Sequence, residues 1–151
     1  MSQSLSQLYI HIVFHVKTSS PTILSETNNE LYAYIGGIIK SLDCQPLKIG
    51  GYTDHLHILC TLSKNISLAK LVEDIKRNSS RWIKSKSHYY SKFAWQNGYG
   101  GFSVSPSHCE QVKHYIENQA NHHGKVRFED EYTQLLKKYG VEYNPEYVFT
   151  D

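Results

Sequence analysis

The stretch GGYTDHLHILC, residues 50–60, decides how this chain is read. PLKIGGYT before it has the make-up of a strand with a glycine turn or bulge. HLHILCTL (55–62) then reads as a second strand. Side chains at i and i+2 of a strand share a face. His55 and His57 therefore project together, and Leu56 points the other way. Two imidazoles side by side on one strand are half of a metal site. The same spacing also fits two hydrogen-bonded or surface histidines, so His-x-His alone decides little.

Outward from this hairpin, the pattern of the chain is regular. QLYIHIVFHVK (7–17) is rich in β-branched and aromatic residues and reads as a strand. Residues 28–43 place Leu31, Ile35, Ile38, Ile39 and Leu42 at helical spacing. Gly36 and Gly37 interrupt that helix, as though something packs closely there. Residues 67–86 form the clearest helix, with Leu68, Leu71, Val72, Ile75, Trp82 and Ile83 on one stripe. A glycine-rich turn enters a short strand within 93–105. Ser105-Pro106 is a natural start for a helix over about 106–123, ending at Gly124. A last helix spans about 128–140, with Phe128, Tyr132, Leu135, Leu136 and Tyr139 in one stripe. The order β-α-β-β-α-β-α-α begins with the six elements of a split βαβ, or ferredoxin-like, unit. The expected fold class is α+β: an antiparallel sheet with helices mainly on one face, plus C-terminal helices.

Composition narrows the class of protein. The 151 residues suffice for one domain with a proper core, and 1–151 is read as a single domain. Net charge is only +2, so charge alone does not imply nucleic acid. The cysteines, Cys44, Cys60 and Cys109, are odd in number and scattered. This argues against a disulfide framework and suits a reducing cytoplasm. MSQSLSQLYI has no basic segment followed by an apolar run, so no signal peptide is expected, and no apolar stretch suits a membrane span.

A partner for the two histidines appears on the helix 106–123. Val112, Tyr115, Ile116, Gln119 and Ala120 share a stripe, and residues i and i+4 are neighbours on a helix. An unpaired buried amide costs about 1–3 kcal/mol, so Gln119 on an apolar stripe needs a partner. A metal shared with His55 and His57 would be one. Taken alone, Tyr115 reads as a core tyrosine. His114, His122 and His123 read as solvated helix surface, and no general base is identifiable. Lys70, Arg77, Arg81 and Lys84 share a face of the helix 67–86 and are candidate phosphate contacts or a solvated face. The tyrosines and Trp95 near the glycine turn suit either base stacking or the core.

His55-Leu56-His57, followed about 60 residues later by Tyr115-x-x-x-Gln119 on a split-βαβ chain, resembles one family: the single-tyrosine HUH transposases of the IS200/IS605 group, with their relatives associated with repetitive palindromic elements. YIHIVFHVK, GGYTDHLHILCTL, WQNGYGGFSVS and HYIENQANHH carry the resemblance, over roughly residues 7–140. It implies that His55, His57 and Gln119 hold a divalent ion, Mg²⁺ or Mn²⁺. It implies that Tyr115 attacks a phosphodiester of single-stranded DNA, forms a 5′-phosphotyrosine and releases a 3′-OH that later reseals. A hairpin at the element end would be the substrate, a homodimer the working form and the cytoplasm the location. The glycines at 100, 101 and 124 flank elements that such a dimer would reorient. Two other readings compete. One is an inactive or domesticated relative that binds hairpin nucleic acid, and the other is a metal-dependent hydrolase that leaves Tyr115 dispensable. On the transposase reading, a swap at Leu56 damages folding, while one at His55 or His57 damages only cleavage.

Overall fold

Strand β1 (Tyr9–His15) lies at the centre of the sheet, between β3 (His55–Thr61) and β4 (Gly100–Val104). β2 (Pro46–Gly51) forms the edge beside β3, which gives the order β2-β3-β1-β4 with every pair antiparallel. This computed structural model describes residues 2–123 and 125–151. The fold class is the expected α+β split βαβ. Helices α1 (Ser25–Ser41) and α2 (Leu68–Lys84) connect the strands. They cover one face of the sheet, closing a core of Ile12, Phe14, Leu56, Ile58, Leu31 and Ile75. Helices α3 (Cys109–Glu117), α4 (Gln119–His123) and α5 (Phe128–Lys138) supply the packing against the other face.

The two faces follow from strand alternation. On β3, Leu56, Ile58 and Cys60 join the α1/α2 core, while Leu59 joins the opposite cluster. The register sets His15 opposite His55 and Val13 opposite His57. All residues of β3 up to Cys60 are buried, so neither face of the strand meets solvent.

Three sequence expectations change. The helix expected to run from 106 to 123 is divided: a short 3₁₀ turn at Pro106–His108, then α3, then α4 after a break at Asn118 (φ −89°, ψ 10°). Asparagine competes with helical geometry through its own side chain, so it is a natural place for the break. The predicted end at Gly124 lies outside the described residues. Helix α1 begins at Ser25, ahead of Asn28, where the Leu24 N–H is held by the Tyr90 hydroxyl at 3.0 Å. Gly36 and Gly37 do not mark close packing, since a β-carbon at Gly37 would meet nothing within 4 Å. One close approach is at Gly50. A β-carbon there would lie 2.8 Å from the Ile116 carbonyl oxygen, so glycine is what lets α3 sit down on β2.

Candidate active site

His55 and His57 are completely buried, with ring centroids 5.1 Å apart. Each is oriented from behind. Asp54 Oδ1 lies 2.8 Å from His55 Nδ1, and His11 Nε2 lies 2.8 Å from His57 Nδ1. Both Nε2 atoms are thereby aimed at one point beneath α3–α5. Partners of this kind on the far nitrogen are what fix a metal-binding imidazole. Burial first, and then the His57 charge, lower the His11 pKa to about 3. Burial lowers His57 to about 4, against the opposing hydrogen bond of a carboxylate. These two rings are therefore neutral near pH 7.

Gln119 reaches the same point. Its Oε1 lies 2.8 Å from His55 Nε2, and it is as buried as the sequence pattern required. The Tyr115 ring stands edge-on to His57, with centroids 5.5 Å apart. Four residues singled out from sequence on two remote segments thus meet in one cluster, all within one chain.

A fifth residue at the centre was not anticipated. Glu131, on α5, is 2 % exposed. Its Oε1 accepts from His57 Nε2 at 3.0 Å and lies 3.6 Å from His55 Nε2. Its Oε2 accepts from Gln119 Nε2 at 3.0 Å and from the Tyr115 hydroxyl. Burial works to raise the Glu131 pKa, but the donors His57, Tyr115 and Gln119 outweigh it and hold the carboxyl well below the usual range. The effect on Tyr115 is the reverse. Burial, then the adjacent Glu131 charge, push the phenol well above its ordinary value. His55, His57 and Glu131 present ligand atoms within 4.8 Å of one another, a spacing compatible with a shared metal ion. The sequence did carry a signal for Glu131. Positions 128, 131, 132 and 135 lie on one helix face, so an acidic residue interrupts an otherwise apolar stripe.

His122 and His123 are not solvated surface. His123 Nε2 lies 3.0 Å and His122 Nε2 3.4 Å from Glu131, while His114 is exposed as expected. The complete burial of His55 and His57 also overturns the expectation that their loss would damage cleavage alone. Each is packed and hydrogen-bonded, so replacement also disturbs folding.

The basic residues of α2 are not part of this cluster, because α2 packs on the other face of the sheet. Lys70 and Arg77 pair with Asp74 at 3.3 and 2.7 Å, and Arg77 also pairs with Glu73 at 3.2 Å. Among the described residues, Arg81 and Lys84 are exposed and carry no ion pair. Trp95 is core: its Nε1 donates to Ser79 Oγ at 3.0 Å, and its ring packs edge-on against Phe14 and Phe93.

Two clefts flank the cluster. One, of about 380 Å³, is lined by His11, Ser105, Gln111, Tyr115 and Lys138. The other, of about 410 Å³, is lined by Lys17, Tyr52, Asp54, His123 and Arg127. No helix among the described residues is long and apolar enough to cross a membrane.

No curated protein sequence matches the chain. Among solved structures, the fold is similar to that of a candidate transposase from Deinococcus radiodurans R1. That likeness has a TM-score of 0.60 at 20 % identity, over 80 % of this chain and 98 % of that one. It is also similar to a REP-associated tyrosine transposase bound to a REP hairpin. Here the TM-score is 0.59 at 14 % identity, over 83 % of this chain and 76 % of that one. The sequence model described as "Transposase IS200 like" matches residues 4–119, a span that holds His55, His57, Tyr115 and Gln119 and stops short of Glu131. With most of its length matched, the chain belongs to the IS200-like transposase family.

Proposed function

We propose that residues 1–151 form one transposase domain that cleaves and rejoins single-stranded DNA at hairpin-marked ends, with Tyr115 as the nucleophile. One observation carries this reading: the Tyr115 hydroxyl shares a single buried cluster with His55, His57 and Gln119, although Tyr115 lies 58 positions after His57 in sequence. A core tyrosine would need no such company.

The donor set fits a divalent ion. His55 and His57 turn Nε2 inward, Gln119 turns Oε1 inward, and Glu131 adds a carboxylate. Two imidazoles and an amide alone do not favour Mg²⁺ or Mn²⁺, whereas an anionic oxygen does. Such an ion, when bound, supplies Lewis-acid polarisation of the scissile phosphate. The chain's own residues do the rest. Asp54 and His11 hold the two imidazoles in place. Gln119 donates to Glu131 and so keeps the carboxylate beside Tyr115. Tyr115 exchanges one phosphodiester for another, forming a 5′-phosphotyrosine and freeing a 3′-OH. A later 3′-OH reverses the step, so no nucleotide triphosphate is required. The clefts on either side of the cluster provide passage for a strand, with Lys138 beside one and Lys17 and Arg127 beside the other. Arg81 and Lys84 remain candidate contacts for the more distant DNA backbone. A homodimer working in the cytoplasm belongs to the same reading.

The test is direct. The protein is mixed with a single-stranded hairpin oligonucleotide and Mg²⁺ or Mn²⁺, and a denaturing gel is read for a covalent adduct. The expected result is an adduct that Tyr115→Phe abolishes. As much adduct from Tyr115→Phe as from the unaltered chain would sink the assignment. Binding without adduct would support the alternative, a hairpin-binding module.

A further inference from the structure

The Glu131 carboxylate divides its two oxygens. Oε1 faces the imidazoles, 3.0 Å from His57 Nε2 and 3.6 Å from His55 Nε2. Oε2 faces the nucleophile side, accepting from the Tyr115 hydroxyl and from Gln119 Nε2. No other carboxylate hydrogen-bonds Tyr115 among the described residues. We propose that Glu131 is the proton acceptor that activates Tyr115. This rests on the reading of Tyr115 as nucleophile and adds the base which that reading lacks.

The geometry meets the first requirement of a general base, hydrogen-bond reach of the proton it removes. The balance of the step is simple. The phenolic O–H bond breaks and its proton passes to Glu131 Oε2. The Tyr115 oxygen bonds to phosphorus as the bond from phosphorus to the 3′ oxygen breaks. The 3′ oxygen leaves with the bonding pair and takes a proton from water. In the sealing step, Glu131 returns a proton to the departing phenolate. Glu131 is also held in place by Gln119, whose Nε2 donates to Oε2 at 3.0 Å. An acceptor that must take the proton at one stated atom benefits from such restraint.

Glu131 lies on α5, beyond the residues that the family model matches. The base is thus contributed by the C-terminal helix, while the nucleophile and the histidines come from the matched part.

The experiment measures single-turnover adduct formation on a saturating hairpin oligonucleotide with saturating Mn²⁺. Glu131→Gln keeps the shape and cannot accept the proton. It is expected to lower the rate by about 10²–10⁴-fold, the usual contribution of a positioned base, with oligonucleotide binding unchanged by fluorescence anisotropy. Glu131→Ala is expected to regain at least part of the rate with added formate and none with formamide, which has the same size but is a far poorer proton acceptor. A merely structural role would not distinguish those two additives. Mn²⁺ affinity is followed separately by calorimetry. If Glu131→Gln reaches the unaltered rate once Mn²⁺ saturates, Glu131 is only a ligand and the proposal fails. If Glu131→Gln reacts faster than the unaltered chain, Glu131 is an obstruction and the proposal fails again. Absence of any adduct from the unaltered chain, or full adduct from Tyr115→Phe, overturns the underlying reading instead.

Discussion

The two faces of the sheet are built from the same strands and serve opposite ends. On β3, Leu56, Ile58 and Cys60 face α1 and α2 and join a core of aliphatic and aromatic side chains. One residue along, His55 and His57 face α3–α5 and join three more polar groups, Gln119, Glu131 and Tyr115. Both faces are buried, so the difference is not one of exposure. The first face stabilises through packing, which needs only shape and volume. The second must satisfy most of its polar atoms, because an unpartnered buried group costs about 1–3 kcal/mol, and among the described residues it leaves His11 Nδ1, His15 Nε2 and His123 Nε2 without a hydrogen-bond partner. The lesson is that burial by itself does not separate core from chemistry, whereas the hydrogen-bond pattern does.

His57→Ala is expected to abolish the adduct and to remove any rise in melting temperature produced by Mn²⁺, since ligand-induced stabilisation requires a binding site in the folded state. A full Mn²⁺-induced shift in this variant would mean that the cluster is not the metal site. Leu56→Ala probes the other face. It is expected to lower stability by about 2–5 kcal/mol in urea unfolding while retaining adduct formation at low temperature. Loss of cleavage from a well-folded Leu56→Ala protein would erase the distinction between the faces.

The polar face alone should make stability sensitive to acid. His57 and His11 are held at about 4 and about 3 by burial, whereas an unfolded histidine titrates near 6.5. The unfolded chain therefore takes up protons that the folded chain refuses. The stability these groups contribute is present in full above about pH 6.5 and is lost as pH falls toward 4. Glu131 acts in the same direction below the ordinary carboxylate range. Between pH 7.5 and 5, without divalent ions, a loss on the order of 2–4 kcal/mol is expected from urea midpoints. A flat profile would show that the histidines are not held neutral.

The smallest effects belong to α2. Arg81→Ala and Lys84→Ala should change stability by less than about 0.5 kcal/mol and reduce the salt slope of DNA binding by about 1 each. Lys70→Ala and Arg77→Ala should reduce it less, since both cations already pair with Asp74. Slopes unchanged from that of the unaltered chain in all four variants would remove α2 from the DNA interface.

Much of this was legible in the residues. Strand alternation alone predicted that His55 and His57 share a face, and helical spacing alone brought Gln119 onto the stripe of Tyr115. Both are short-range rules. The structure bears out the first, whereas α3 ends between Tyr115 and Gln119 and the two side chains meet at Glu131. The burial of His123 and the pairing of Lys70 and Arg77 were not legible, because a surface stripe and a covered one look alike until the neighbouring element is placed. Trp95 was ambiguous for the same reason, and its contacts with Ser79 and Phe14 settled it as core.

Local pattern was enough for the element order and for the sharing of a face by the two histidines, since each depends on backbone period within one segment. Only the tertiary structure decided that both faces of the sheet are covered and that Glu131 stands between the histidines and the tyrosine. Glu131 is 74 residues from His57 along the chain, and no local periodicity specifies a contact of that range. The docking of α5 specifies it, because seating Phe128 and Tyr132 against the sheet carries the carboxylate between them into the cluster.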